Sequence, residues 1–163
     1  MAVLGMIILL SCTKTSAPGV GLARGSGDLP ELSGDTVQGS TLDPSFYAGR
    51  VTVVNFWATW CGPCELEQPD LVKVANEYAS KGVVFVGVNY RDNLAAAKVW
   101  VDRFTVPYPS ISDPSGSYGD DFGFLGLPDT YVVDEQGVIV SSISGQTDAA
   151  ELSGLIDEVL AAD

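Results

Sequence analysis

The chain of 163 residues has no histidine, three cysteines, and 8 lysines and arginines against 21 aspartates and glutamates. Each shortage excludes something. Without histidine there is no imidazole to serve a nucleophilic triad or to ligate a metal. Three thiols fall short of the four ligands of a tetrahedral zinc site. One cysteine pair cannot staple a chain of this length, so a disulfide scaffold is excluded as well. A net charge of −13 is repelled by a phosphate backbone, which removes nucleic acid as a partner. The acidity itself reads as a device for solubility, or as a preference for a basic partner segment. What is plentiful is apolar residues, 46% of the chain, enough for one domain with a real core.

The opening stretch MAVLGMIILLSC is apolar up to Ser11. It is too short to span a bilayer, which takes about 20 residues. Residues 1–11 read as the apolar part of a signal peptide. No Lys or Arg precedes the run, as expected if the written start lies inside a longer signal. Residues 9–12, LLSC, resemble the lipobox of bacterial lipoproteins. That resemblance implies cleavage before Cys12 and a diacylglycerol on its thiol, whose two acyl chains suffice for stable anchoring. The alternative is a short buried element with an ordinary buried Cys12. Residues 12–27 are rich in Gly, Ser and Thr and lack apolar periodicity, the composition of a flexible tether about 20 Å from end to end.

The folded domain is expected over residues 28–163. A hairpin is expected around Gly34 and Asp35. Residues 51–57, VTVVNFW, read as a strand buried on both faces. A helix follows Cys61 and ends at Gly82, with Leu66, Leu71, Val74, Ala75 and Tyr78 inward and a kink at Pro69. Residues 83–90 read as a second buried strand. Residues 93–104 read as a helix with Leu94, Ala97, Val101 and Phe104 on its inner face. Residues 129–145 give two strands around a turn at 135–137. A last helix is capped by Asp148 and carries a stripe of Leu152, Leu155, Ile156 and Val159. This order predicts an α/β fold, a mixed central sheet with helices on both faces.

Within this pattern lies NFWATWCGPCELEQP, residues 55–69. The spacing of Cys61 and Cys64 suits redox chemistry or a minor structural bridge. A bridge closing so small a ring constrains little of the unfolded chain and adds little stability. Redox chemistry explains the setting better. A strand runs straight into a helix with Cys61 at the junction, where unpaired N–H groups and the helix dipole favour the thiolate. Pro63 suits the first helical turn because it has no N–H to leave unpaired. Cys64, one turn on, can close a disulfide onto Cys61.

The stretch VNFWATWCGPC resembles the active site of the thioredoxin superfamily, and more narrowly the membrane-anchored extracytoplasmic proteins of the TlpA, ResA and CcmG type. The resemblance runs from about Asp28 to the C-terminus, with GVNY at 87–90 and GLPDTYVVDEQG at 126–137 in support. It implies a thioredoxin fold with an N-terminal hairpin extension and a central insertion. It implies a cis peptide bond before Pro128 and pairing of Leu127's backbone with a substrate peptide, added as a strand. Trp60, Gly62 and Pro63 complete the implied substrate surface. Trp57 and Trp60 flank the cysteines, either shaping a groove or packing as core and rim. Cytosolic thioredoxins carry a buried Asp where this chain has Asn55, which does not titrate. Glu67, three residues beyond Cys64, matches a glutamate of the TlpA and ResA type. The expectation is that Glu67 handles the proton of Cys64.

The sequence therefore reads as a lipid-anchored, extracytoplasmic thiol–disulfide oxidoreductase. The resemblance implies that it reduces protein disulfides, apocytochrome c among the candidates, and is supplied by a membrane electron donor; a monomer without metal or cofactor is expected. The alternatives are a general disulfide oxidant or isomerase, and a non-catalytic adaptor on the same fold.

Overall fold

The computed structural model describes residues 27–162. The expected signal peptide, Cys12 and most of the tether lie outside the described residues. Gly27, the last residue assigned to the tether, opens a short edge strand, β1 (Gly27–Asp28).

A two-stranded hairpin follows, β2 (Gly34–Asp35) and β3 (Thr41–Leu42). Its turn is not at Gly34 and Asp35, as the sequence pattern predicts. Those residues are the first strand, paired with Leu42 and Thr41, and the chain reverses over residues 36–40. There Gly39 takes a φ of +87°, a conformation that costs a side chain, while Thr36 and Ser40 pair through their hydroxyls.

The main sheet has the order β1-β8-β7-β4-β5-β6. Its centre is β4 (Thr52–Trp57), with β5 (Val84–Tyr90) parallel on one side and β7 (Asp129–Val133) antiparallel on the other. β8 (Val138–Ser144) pairs with β7, and β6 (Ser110–Asp113) lies parallel to β5 at the far edge. The helices are α1 (Gly62–Tyr78), α2 (Leu94–Arg103), α3 (Ser117–Phe122) and α4 (Ala149–Ala162).

Side chains alternate across β4. Val53 packs with Leu71, Val74, Leu152 and Ile156 of α1 and α4, while Val54 and Phe56 pack on the other face with Phe122 and the N-terminal Leu32. Asn55 lies in register with Val53 and Trp57, on the α1 face. A third cluster joins Trp57, Cys61 and Cys64 to Ala97, Trp100 and Val101 of α2.

Two positions assigned to helix interiors are outside. Leu66 is 67% exposed, one turn after Pro63 on the solvent side of α1. Leu94 is also exposed, because α2 buries Ala97, Trp100 and Val101 instead. The strand β6 and helix α3 lie between α2 and β7. Their short, Gly- and Pro-interrupted sequence shows no period from which either element could be predicted.

Candidate active site

β4 ends at Trp57, and a tight turn in which Cys61 N–H donates to Ala58 O (3.1 Å) delivers the chain to α1. Cys61 is the N-cap of that helix, in extended conformation, and its Sγ accepts the Cys64 N–H at 3.2 Å. Cys61 and Cys64 form a disulfide with Cα atoms 5.3 Å apart. Cys61 keeps 5% of its surface open and Cys64 1%, so a partner from solution meets Cys61 first. In the dithiol form the Cys61 sulfur sits at the positive end of a 17-residue helix, against N–H groups with no helical partner. Both effects favour its thiolate.

The loop that carries Cys61 is tied down from β5. Asp92 accepts from Thr59 N (2.7 Å), Thr59 Oγ1 (2.8 Å), Asn89 Nδ2 (2.9 Å) and Asn93 N (2.7 Å). Burial pushes the Asp92 carboxyl up, but these donors outweigh it and hold the group below the ordinary carboxylate range. Arg91 beside it has a φ of +46°, an uncommon conformation for a residue with a side chain, and its carbonyl receives the Trp60 indole N–H at 3.3 Å. Trp60 stands 61% exposed next to the disulfide, whereas Trp57 is core, stacked on Trp100 with centroids 5.3 Å apart.

The remaining residues of the expected substrate surface gather at the same end of the sheet. Gly62 and Pro63 are exposed on the first turn of α1. Leu127 packs against the cluster that contains both cysteines, and the Leu127–Pro128 bond is cis.

Beneath the cysteines lies a buried polar network. Glu67 has no exposed surface. Its Oε1 accepts from Asn55 Nδ2 (2.9 Å) and its Oε2 from the Thr147 main-chain N–H (3.0 Å). Desolvation pushes its carboxyl up to about 7, against the pull of those two donors. Asn55 Nδ2 also donates to Thr130 Oγ1 (3.0 Å). A carboxyl at one helical turn from Cys64, held near neutrality and shielded from water, is suited to taking up and returning a proton.

Sequence reasoning places Glu67 on the cysteine side of α1 but misses its partners. Thr130 and Thr147 join it only because β7 and the loop before α4 converge on α1. Thr130 follows Asp129 at the polar start of β7, and nothing in that pair of residues singles it out. Thr147 contributes main chain, which no side-chain pattern reveals. The Asp92–Thr59 tie is equally silent, since the two residues are far apart in sequence.

The family model described as Redoxin matches residues 25–157. The thiol:disulfide interchange protein DsbE of Pseudomonas fluorescens biotype C is 39% identical over 140 residues, 80% of this chain and 74% of that protein. The thiol-disulfide oxidoreductase ResA of Bacillus thuringiensis subsp. konkukian is 24% identical over 132 residues, 81% of this chain and 76% of its own. Among solved structures, a thiol:disulfide interchange protein of the thioredoxin family from Chlorobium tepidum TLS superposes with a TM-score of 0.75 at 30% identity. That match spans 83% of this chain and 97% of the other. With its disulfide at the head of α1 and the thioredoxin-like sheet behind it, the chain belongs to the Redoxin family and is a thiol–disulfide oxidoreductase of the DsbE and ResA type.

Proposed function

We propose that this oxidoreductase works outside the cytoplasm, held to the membrane by a lipid on Cys12, and reduces disulfides in protein substrates, apocytochrome c among them. The observation that carries the division of labour is the asymmetry of the pair. Cys61 is the more exposed of the two, at a helix N-terminus, and Cys64 is buried one turn from a buried Glu67 whose carboxyl is pushed up to about 7.

The reaction runs in two displacements. The Cys61 thiolate attacks one sulfur of the substrate disulfide, and the other sulfur leaves as a thiolate. Cys64 gives its proton to Glu67 and attacks Cys61 Sγ. The second substrate sulfur then leaves, and the pair has lost the two electrons that the substrate has gained. The leaving thiolates take protons from Glu67 and from water. Trp60, Gly62, Pro63, Leu127 and Pro128 form the surface on which the substrate backbone lies. A membrane electron donor returns the pair to the dithiol.

Replacing Cys64 with Ser in the full, reduced chain and adding an oxidised Cys-x-x-Cys-His peptide tests the chemistry. A mixed disulfide at Cys61 is the expected product. Its absence would contradict the order of attack, and equal trapping of unrelated disulfide peptides would contradict a cytochrome preference. Labelled fatty acid fed to a bacterial host should enter the wild-type chain and not Cys12→Ala; an unlabelled wild type would overturn the anchor.

A further inference from the structure

The buried network under the cysteines contains one group whose position nothing else fixes. Among the described residues, Asn55 Oδ1 is the buried side-chain oxygen that receives no hydrogen bond. Asn55 is 1% exposed, on the strand that faces α1. Its amide orientation is decided by two bonds alone, from Nδ2 to Glu67 Oε1 at 2.9 Å and to Thr130 Oγ1 at 3.0 Å. Both partners are reversible. A hydroxyl donates or accepts as its proton rotates, and a carboxyl oxygen accepts when ionised and donates when protonated.

Glu67 Oε2 faces the main-chain N–H of Thr147, which is always a donor. A proton arriving on Glu67 is therefore accommodated at Oε1, where it meets Asn55 Nδ2, donor against donor. A half-turn of the Asn55 amide removes the conflict. Oδ1 then accepts from Glu67 Oε1 and from Thr130 Oγ1, with the heavy atoms of the network in the same places. Nδ2 takes the position of the unpaired Oδ1, so one unpaired group is exchanged for another.

We propose that Asn55 is a positioning residue for Glu67, an amide that turns over as Glu67 gains or loses its proton and so holds the carboxyl in place in both states. This goes beyond the direction of electron flow and rests only on Glu67 changing its charge. The carboxyl near neutrality makes both states accessible. An aspartate at position 55 could not do the same, because two carboxylates at this distance share one proton.

The groups that face Glu67 are few. From α1 come Cys64 and, at the helix head, Cys61. From the segment before β6 comes Tyr108, whose hydroxyl accepts from Gln68 Nε2 (2.9 Å) and whose pKa burial raises, with Glu67 adding to the rise. From α4 comes Glu151, joined through Thr147 Oγ1 (3.0 Å). β4 and β7 contribute only neutral Asn55 and Thr130 directly. Asp129, next to Thr130, is engaged with Tyr131 and Ser144. With the cysteines in the disulfide they do not titrate, so in the oxidised protein Glu67 is the titratable group bonded directly to Asn55.

The test is an NMR titration of the full, oxidised chain labelled with 15N and 13C, following Glu67 Cδ and the Asn55 side-chain amide. The expected result is one shared midpoint near neutrality for both. In Glu67→Gln, whose amide donates to Oδ1 as the protonated acid does, the Asn55 signals should be independent of pH and rest at the acid limit of the wild type. A Glu67 that titrates while the Asn55 amide stays unchanged overturns the proposal. So does an Asn55 that still titrates in Glu67→Gln. Neither result bears on whether Cys61 reduces a given substrate.

Discussion

Glu67 shows how a single buried group links chemistry to stability. Its carboxyl is raised from 4.5 in the open chain to about 7 in the fold, because burial disfavours the charge. The folded state therefore binds the proton more tightly than the unfolded state. Stability is greatest below about pH 4.5, as far as this group is concerned, and falls as the pH rises towards 7. A shift of this size corresponds to about 3 kcal/mol across that window. Glu67→Gln should flatten that slope in denaturant midpoints measured from pH 5 to 7.5. It should also slow resolution of a mixed disulfide by about 100-fold at neutral pH. A slope unchanged in the variant would mean that Glu67 is not the group responsible. The role of this side chain was partly legible in the sequence, since three residues from Cys64 means the same helix face. Its burial, and the donors from Asn55 and Thr147, were not. They depend on β4 and the loop before α4 meeting α1.

At the scale of elements, the site is a strand end, a helix start and a bracing loop. Asp92 ties the loop before Cys61 to the end of β5 with four hydrogen bonds. Asp92→Ala leaves donors of half-buried Thr59 and buried Asn89 unpaired, at a cost of about 1–3 kcal/mol. The expected readouts are a lower denaturant midpoint and faster amide exchange at Thr59. A midpoint unchanged would show that the tie contributes nothing. Gly87 marks another close approach. A Cβ there falls onto Ser110 Oγ and Trp57 Nε1, which share a hydrogen bond at 3.3 Å. Gly87→Ala should separate β5 from β6 and destabilise the fold by about 1–3 kcal/mol, read by thermal unfolding. The long elements were legible because their apolar periods are strong. The hairpin turn was misplaced because residues 34–40 offer two glycines, and only cross-strand pairing selects Gly39. Leu66 and Leu94 were misassigned because an apolar side chain on the solvent side of a helix looks the same in sequence as one in the core.

For the whole molecule, the sheet order places every functional element at one end: the close of β4, the head of α1, the loop after β5 and the cis-proline turn before β7. Among the described residues no helix is long and apolar enough to cross a membrane. The overall plan was legible because Trp-Cys-Gly-Pro-Cys between an apolar strand and a helix is specific. The elements β6 and α3 were not, because short elements held by tertiary contacts leave no period. Whether this pair gives electrons to substrates, as proposed, is read in its reduction potential. The full chain is equilibrated against a dithiol–disulfide buffer and followed by Trp60 fluorescence. A pair that gives electrons has a value of about −270 mV or lower, the range of a reductant. A value of about −120 to −180 mV, the range of oxidants and isomerases, would contradict the proposal.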